Sequence, residues 1–188
     1  SSLELMERAA SKVKNCLTQR FSELGLKERI IKIFAGPGNN GGDGLVIGRL
    51  LHDEGYTVKV FLVGTKGDKG SNDFKENIKK LPPDMPVSGV YEAEHLPEIS
   101  SSDVIIDAIF GSGLNRAPEG IFVSTINWLN TKASLTVSID VPSGLLIDRP
   151  RLNENVIKSD VTFTFQFPKL ALLLSDNKAF VREWEVID

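Results

Sequence analysis

The chain has 188 residues, a formal net charge of −3, 41% hydrophobic and 25% charged residues. That suffices for one domain with a substantial core, and the mild acidity leaves no basic footprint for nucleic acid. No apolar run reaches membrane-span length, the single cysteine excludes an intramolecular disulfide, and the two histidines, His52 and His95, stand apart with no Cys/His zinc cluster.

In chain order, residues 3–21 place Leu5, Met6, Ala9, Ala10, Val13, Cys16, Leu17 and Phe21 at helical spacing. This reads as an amphipathic helix covering a sheet or a partner, with Cys16 packed on its stripe. Residues 30–35 read as a short buried strand. The loop Gly36-Pro37-Gly38-Asn39-Asn40-Gly41-Gly42-Asp43-Gly44 follows it. Residues 43–54 read as a helix, with Asp43 as cap or first-turn acid and Gly55 as its stop. A second strand spans 58–63. A helix over 72–80 is stopped by Leu81-Pro82-Pro83. A third strand spans 87–90, and a fourth spans 103–106 with Asp107 at its end. Residues 118–130 read as a helix with proline near its start. Residues 135–139 form a strand ending at Asp140, and 161–165 and 184–187 read as later strands. No repeat, low-complexity stretch or linker divides the chain, so 1–188 is expected to be one domain. It starts at Ser1 rather than Met and shows no signal peptide, which reads as a trimmed chain whose native targeting stays partly hidden; a cytoplasmic location is the expectation.

Strands alternating with helices favour an α/β fold: a parallel sheet with helices on both faces. Ligands of such folds bind outside the carboxyl ends of the strands. Three polar, glycine-containing loops fall there: the loop after residue 35, Asp107 to Leu114, and Asp140-Val141-Pro142-Ser143-Gly144. The first is a phosphate-binding arrangement. Its glycines allow close backbone approach, and the helix that follows offers unpaired N–H groups. It lacks the Gly-Lys-Ser/Thr ending of a Walker A loop. The strand over 58–63 runs into Gly64-Thr65-Lys66 with no acid for ribose hydroxyls, which weakens a redox dinucleotide domain.

Asp140 is followed by Val141-Pro142, and the proline keeps Val141 extended. Such a carboxylate is a candidate general acid or base; the plainer reading is a turn carboxylate accepting backbone N–H groups. Asp107 has the same two readings. With Asn40 and Ser143 it can also form an oxygen-rich cation site. Arg116 can pair with a phosphate through its forked donors, or stay solvated. Lys169, after Pro168, is a second candidate of that kind.

The segments GPGNNGGDGLVIGRLL, DAIFGSGLNR, SIDVPSG and DVTFTFQFPK, with Leu5-Met6-Glu7-Arg8-Ala9 in the first helix, together resemble the NAD(P)H-hydrate epimerases, the YjeF N-terminal domain family. The resemblance covers nearly the whole chain. It implies a Rossmann-like three-layer α/β/α sandwich with a mostly parallel sheet, epimerisation of hydrated NADH and NADPH, and a bound potassium ion. It implies that Asn39, Asn40, Gly41, Gly42, Asp43, Gly111, Ser112, Gly113, Leu114, Asn115, Arg116, Ala117 and Asp140 contact the hydrated nucleotide. Asn40, Asp107 and Ser143 would provide the potassium site, and Asp140 would be catalytic. In many bacterial relatives a kinase-like dehydratase domain follows this one.

That chemistry suits the residues. C6 of a hydrated nicotinamide is a hemiaminal carbon, and inverting it breaks no C–H bond. A carboxylate able to exchange a proton with its oxygen suffices, help typically worth ~10²–10⁴ in rate. The competing class is a non-catalytic nucleotide-binding or dimerisation module of the same fold, but the glycine loop and both strand-end acids are present. Lys66 lies near where a 2′-phosphate would be read. A homodimer is expected, because the first-helix stripe, Leu24, Leu26, Phe122 and Trp128 offer more apolar surface than one small domain covers.

Overall fold

The computed structural model describes residues 1–132, 134–147 and 154–188. Its strands are β1 (Ile30–Ala35), β2 (Thr57–Val63), β3 (Val87–Val90), β4 (Val104–Ala108), β5 (Leu135–Ile139), β6 (Ser159–Phe165) and β7 (Val181–Ile187). They form a seven-stranded sheet in the order β3-β2-β1-β4-β5-β6-β7, and the recorded pairings are all parallel. The helices are α1 (Ser2–Arg20), α2 (Asn39–Asp53), α3 (Asn72–Lys79), α4 (Ile121–Asn130) and the single turn α5 (Leu170–Leu173).

The strands bury both faces, as the alternation of their side chains shows. On one face Ile31, Ile33 and Ala35 of β1 and Ile106 of β4 join a cluster with Met6, Ala10, Val13 and Leu17 of α1 and Leu45, Ile47 and Leu51 of α2. On the other, Phe34 and Ile105 join Ile126 and Leu129 of α4. Three layers result. Ile33 is fully buried, so trimming it to alanine would cost about 2–5 kcal/mol. That is a large part of a typical domain's ~5–15 kcal/mol. Glu4 N–H donates to Ser1 Oγ at 3.3 Å in a capping box that starts α1.

Several elements differ from the sequence expectation. α2 begins at Asn39 and its cap is Gly38, so Asp43 is neither cap nor first-turn acid but lies in the second turn. Glycine occupies this stretch despite its poor helix propensity because a β-carbon would not fit: at Gly41 it would overlap the Gly36 carbonyl oxygen. β4 runs through Asp107 to Ala108, placing Asp107 inside the strand. α4 starts after Pro118, at Ile121, with Gly120 as its cap at φ +58°. β7 is longer than expected, and α5 is absent from the sequence reading. The apolar surface assigned to a partner is covered within the domain in part: Leu26 is buried, Trp128 packs on the α4 face and donates to the Pro97 carbonyl oxygen at 3.1 Å, and Phe122 meets Phe110 at a tilt, whereas Leu5 and Leu24 stay exposed. Among the described residues no helix is long and apolar enough to cross a membrane.

Candidate active site

The sheet order sets the site. From β1 the chain steps outward to β2 and β3, then crosses back to β4 and continues the other way to β7. The reversal lies between β1 and β4, and a crevice opens outside their carboxyl ends. The loop after β1 and the loop after β4 close on it. They approach so tightly that a β-carbon at Gly36 would overlap the Ile109 carbonyl oxygen. No side chain caps α2, so its first-turn N–H groups face the crevice as donors for an anion.

Asp140 ends β5 on left-handed backbone, φ +67°, a conformation asparagine and aspartate tolerate better than other non-glycine residues. It is 7% exposed. Its N–H donates to the Phe163 carbonyl oxygen at 2.7 Å, and its Oδ2 accepts from Ser112 N–H at 2.7 Å. Its Oδ1 lies 3.2 Å from Lys169 Nζ. Lys169 also donates to the carbonyl oxygens of Phe165 at 2.6 Å and Phe167 at 3.3 Å. Lys169 is therefore committed to Asp140 and the turn after β6, not free for a phosphate. Gly111 closes the other side: a β-carbon there would sit 2.9 Å from Asp140 Oδ2 and 3.1 Å from Asn40 Oδ1.

Asp107 and Ser143 are fully buried behind the crevice wall. Asp107 Oδ2 accepts from Ser138 Oγ–H and Ser143 N–H, both at 2.8 Å, and Oδ1 accepts from Ile109 N–H at 3.3 Å and from Ser143 Oγ–H. Ser143 Oγ in turn accepts from Phe110 N–H at 2.8 Å. Burial pushes the Asp107 carboxyl up, and the bonds from Ser143, Ser138 and Ile109 oppose that. Among the described residues Asp107 has no ion-pair partner within the salt-bridge distance. Asn40 lines the crevice with its amide nitrogen and oxygen both buried and unpartnered, a cost of about 1–3 kcal/mol per group if left so. An orphaned amide oxygen on the crevice wall, and behind that wall a buried carboxylate with hydrogen bonds but no ion-pair partner among the described residues, form an oxygen donor set without sulfur or imidazole that suits a hard cation.

The crevice has two lobes. The larger, about 660 Å³, lies between the first turn of α2 and the loop Ile109–Arg116. The smaller, about 410 Å³, lies between α1 and the turn after β6. Asn39, Asp43, Ser112 and Asp140 line both and form the waist. Asp43 is crowded by protein there. Burial pushes its carboxyl up to about 8, and the charges of Asp140 and then Asp73 add to the effect. The waist thus carries one carboxylate fixed by a cation and one carboxyl that holds its proton at neutral pH. A further groove of about 610 Å³ lies toward the amino ends of β5 to β7, the wrong end of the sheet for strand-end loops.

The other sequence candidates distribute as follows. Gly111, Ser112, Gly113, Leu114, Asn115 and Arg116 line the larger lobe, and Ala117 lies just past it. Arg116 is exposed. Gly41 and Gly42 are buried beneath the turn, Gly42 against Met6. Of the three cation candidates only Asn40 reaches the lining. Lys66 lies over the Tyr91 ring, 5.7 Å from its centroid, and lines neither lobe. Sequence reasoning missed the smaller lobe, with Met6, Phe165 and Gln166, and missed Ser138 on Asp107. The strand-end rule applied to β6 points to Gln166 and Lys169.

A parallel three-layer fold with a ligand crevice at its strand reversal, floored by a helix N-terminus and two carboxyl groups, places the chain in the Rossmann-like α/β class. Within that class it belongs to the family described as YjeF-related protein N-terminus, whose model matches residues 2–171. It is 33% identical over 187 residues to the NAD(P)H-hydrate epimerase of Limosilactobacillus fermentum, across 100% of this chain and 86% of that protein. It is 42% identical over 146 residues to the bifunctional NAD(P)H-hydrate repair enzyme Nnr of Thermofilum pendens, across 76% of this chain but only 28% of that longer relative. The crystal structure of a yeast protein matches with a TM-score of 0.80 at 27% identity, covering 99% of this chain and 79% of the yeast chain.

Proposed function

We propose that this domain is an NAD(P)H-hydrate epimerase, interconverting the R and S epimers of hydrated NADH and NADPH. The observation that carries the reading is the waist. Asp140, clamped by Lys169 and Ser112 N–H, shares it with the proton-holding Asp43, beside an anion-binding helix terminus.

In the substrate, C6 bears a hydroxyl next to the ring nitrogen. The Asp43 carboxyl donates its proton to that oxygen while the nitrogen lone pair expels it as water, leaving a planar iminium carbon. Water adds from the opposite face, Asp140 accepts its proton, and the proton returns to Asp43. Atoms and charge balance, and the two anionic carboxylates flank the transient cation. Paired carboxyl groups in unlike environments are a recurrent way to run acid and base steps together. The first turn of α2 and the loop Gly111 to Arg116 would hold the diphosphate. Asn40, Asp107 and Ser143 would hold a potassium ion, which supplies positive charge beside a buried carboxylate and fixes the loops that frame the crevice.

A homodimer is part of the proposal. Its support is the apolar surface at α5, where Phe167, Leu170 and Leu173 are 61%, 60% and 57% exposed. The bifunctional relatives support a dehydratase, fused or separate, as the partner that consumes the product. The test is chiral chromatography of mixed hydrate epimers with and without folded protein in potassium buffer. Equilibration faster than the protein-free control is expected; an equal rate would sink the proposal.

A further inference from the structure

The smaller lobe is lined by the first helix and the turn after β6, two segments that carry the family resemblance without an assigned ring contact, and it opens on the same two carboxyl groups as the larger one. We infer that it seats the hydrated nicotinamide ring, with Gln166 reading the ring's carboxamide. The inference rests on the epimerase reading and assigns the two halves of the dinucleotide to the two lobes.

The waist fixes where the reacting carbon must lie, because Asp43 and Asp140 are there. The helix terminus and glycine-rich loop suited to a diphosphate lie on one side: the uncapped first turn of α2, and the loop that carries Arg116. The cations of the smaller lobe are single side chains, Arg8, Lys12 and Lys169, and the last two are already engaged by the Asp188 carbonyl oxygen and by Asp140. The diphosphate and the adenosine half therefore occupy the larger lobe, and the ring points the other way. The smaller lobe offers what such a ring needs. Leu5, Met6 and Phe165 give apolar walls, and Gln166 offers one donor and one acceptor group to a carboxamide. Gln166 itself sits on left-handed backbone at φ +66°, beside a tight turn in which Phe167 N–H donates to the Phe165 carbonyl oxygen at 2.7 Å. Strained backbone of this kind gathers at ligand clamps. Lys169 holds the turn through that carbonyl and holds Asp140 with the same ammonium, so the ring clamp and the catalytic carboxylate are mechanically one unit. Seating adenine in this lobe instead would draw the diphosphate away from the uncapped helix terminus.

The test uses two fragments, nicotinamide mononucleotide and ADP-ribose, titrated separately into the whole chain and followed by NMR shifts up to millimolar concentration. Gln166→Gly suits the positive φ and keeps the fold. It is expected to raise the dissociation constant of nicotinamide mononucleotide about fivefold, the loss of one modest hydrogen bond, and to leave ADP-ribose within about twofold. Weakening of ADP-ribose alone, equal weakening of both, or no change in either would overturn the assignment. So would failure of the wild-type chain to bind the mononucleotide. The epimerisation assay on the same wild-type preparation separately decides the parent reading, so the two failures are distinguishable.

Discussion

Lys169 Nζ lies 3.2 Å from Asp140 Oδ1, and the two side chains are only 10% and 11% exposed. One ammonium thus joins the end of β5 to the turn after β6. Removing one partner of a buried pair strands the other, at about 3–5 kcal/mol. Lys169→Met is expected to lower the melting temperature by roughly 10 °C. Lys169→Met combined with Asp140→Asn should recover much of that loss. Thermal melts of the four-member cycle decide it, and strictly additive losses would show that the two residues are uncoupled.

Asp140→Asn alone should fold and still bind ADP-ribose. Asparagine accepts the left-handed backbone and keeps the shape, but it cannot take a proton from water. Epimerisation should fall by about 10²-fold or more. Near wild-type turnover would make Asp140 a turn carboxylate only.

Asp43 ties both activity and stability to pH. Its carboxyl is pushed from 3.8 to about 8 in the folded chain. Between those values the folded state holds a proton that the unfolded state releases. This group's favourable contribution is complete below about pH 4 and is lost as pH rises toward 8. Asp43→Asn should therefore lose epimerase activity yet melt higher than wild type at pH 8, by ~2–4 °C for each kcal/mol recovered. The gain should vanish near pH 4. The wild-type rate should fall above about pH 8 as the donor proton is lost. Melts and rate profiles of both proteins from pH 4 to 9 check all three statements.

Potassium should raise the melting temperature saturably, by a few degrees, relative to tetramethylammonium at equal ionic strength. Linkage to a site that exists only in the folded chain gives that form. Asn40→Leu fills the space with apolar atoms and should abolish the difference. Identical wild-type melts and rates in the two salts would remove the cation from the proposal.

Light scattering over a dilution series should give twice the monomer mass of 20.6 kDa at high concentration. Replacing Leu170 and Leu173 by aspartate should shift the mass to the monomer value at every concentration. A wild-type mass that never leaves 20.6 kDa would mean that α5 stays solvated.

The sequence carried the strands well because their signal is local. Runs such as Ile30 to Ala35 are apolar on both faces and bounded by turn residues, and β1, β3 and β5 have the expected bounds. The glycine loop misled at its boundary. Asn39 to Gly42 read as loop by propensity, whereas the close approach of Gly36 to Ile109, and of Gly41 to the Gly36 carbonyl, places glycines there for their missing β-carbons and the stretch is helical. That constraint joins residues some seventy positions apart and leaves no mark in local composition. Asp140 and Asp107 were legible because strand ends collect function. Their partners come from elsewhere, Lys169 from the turn after β6 and Ser138 from β5, and only the folded sheet brings them near. The proton held by Asp43 is a property of crowding, which no motif encodes.

The left-handed backbone at Asp140 also shapes how this domain can drift. Few side chains tolerate that conformation, so the substitutions open to the position are chiefly glycine and asparagine. Glycine would relax the backbone, and each would end the demand for a buried counter-ion. A lineage released from catalysis would therefore hold its stability only by changing Lys169 together with Asp140, so the loss of chemistry at this position should leave its trace as a paired substitution in the turn after β6.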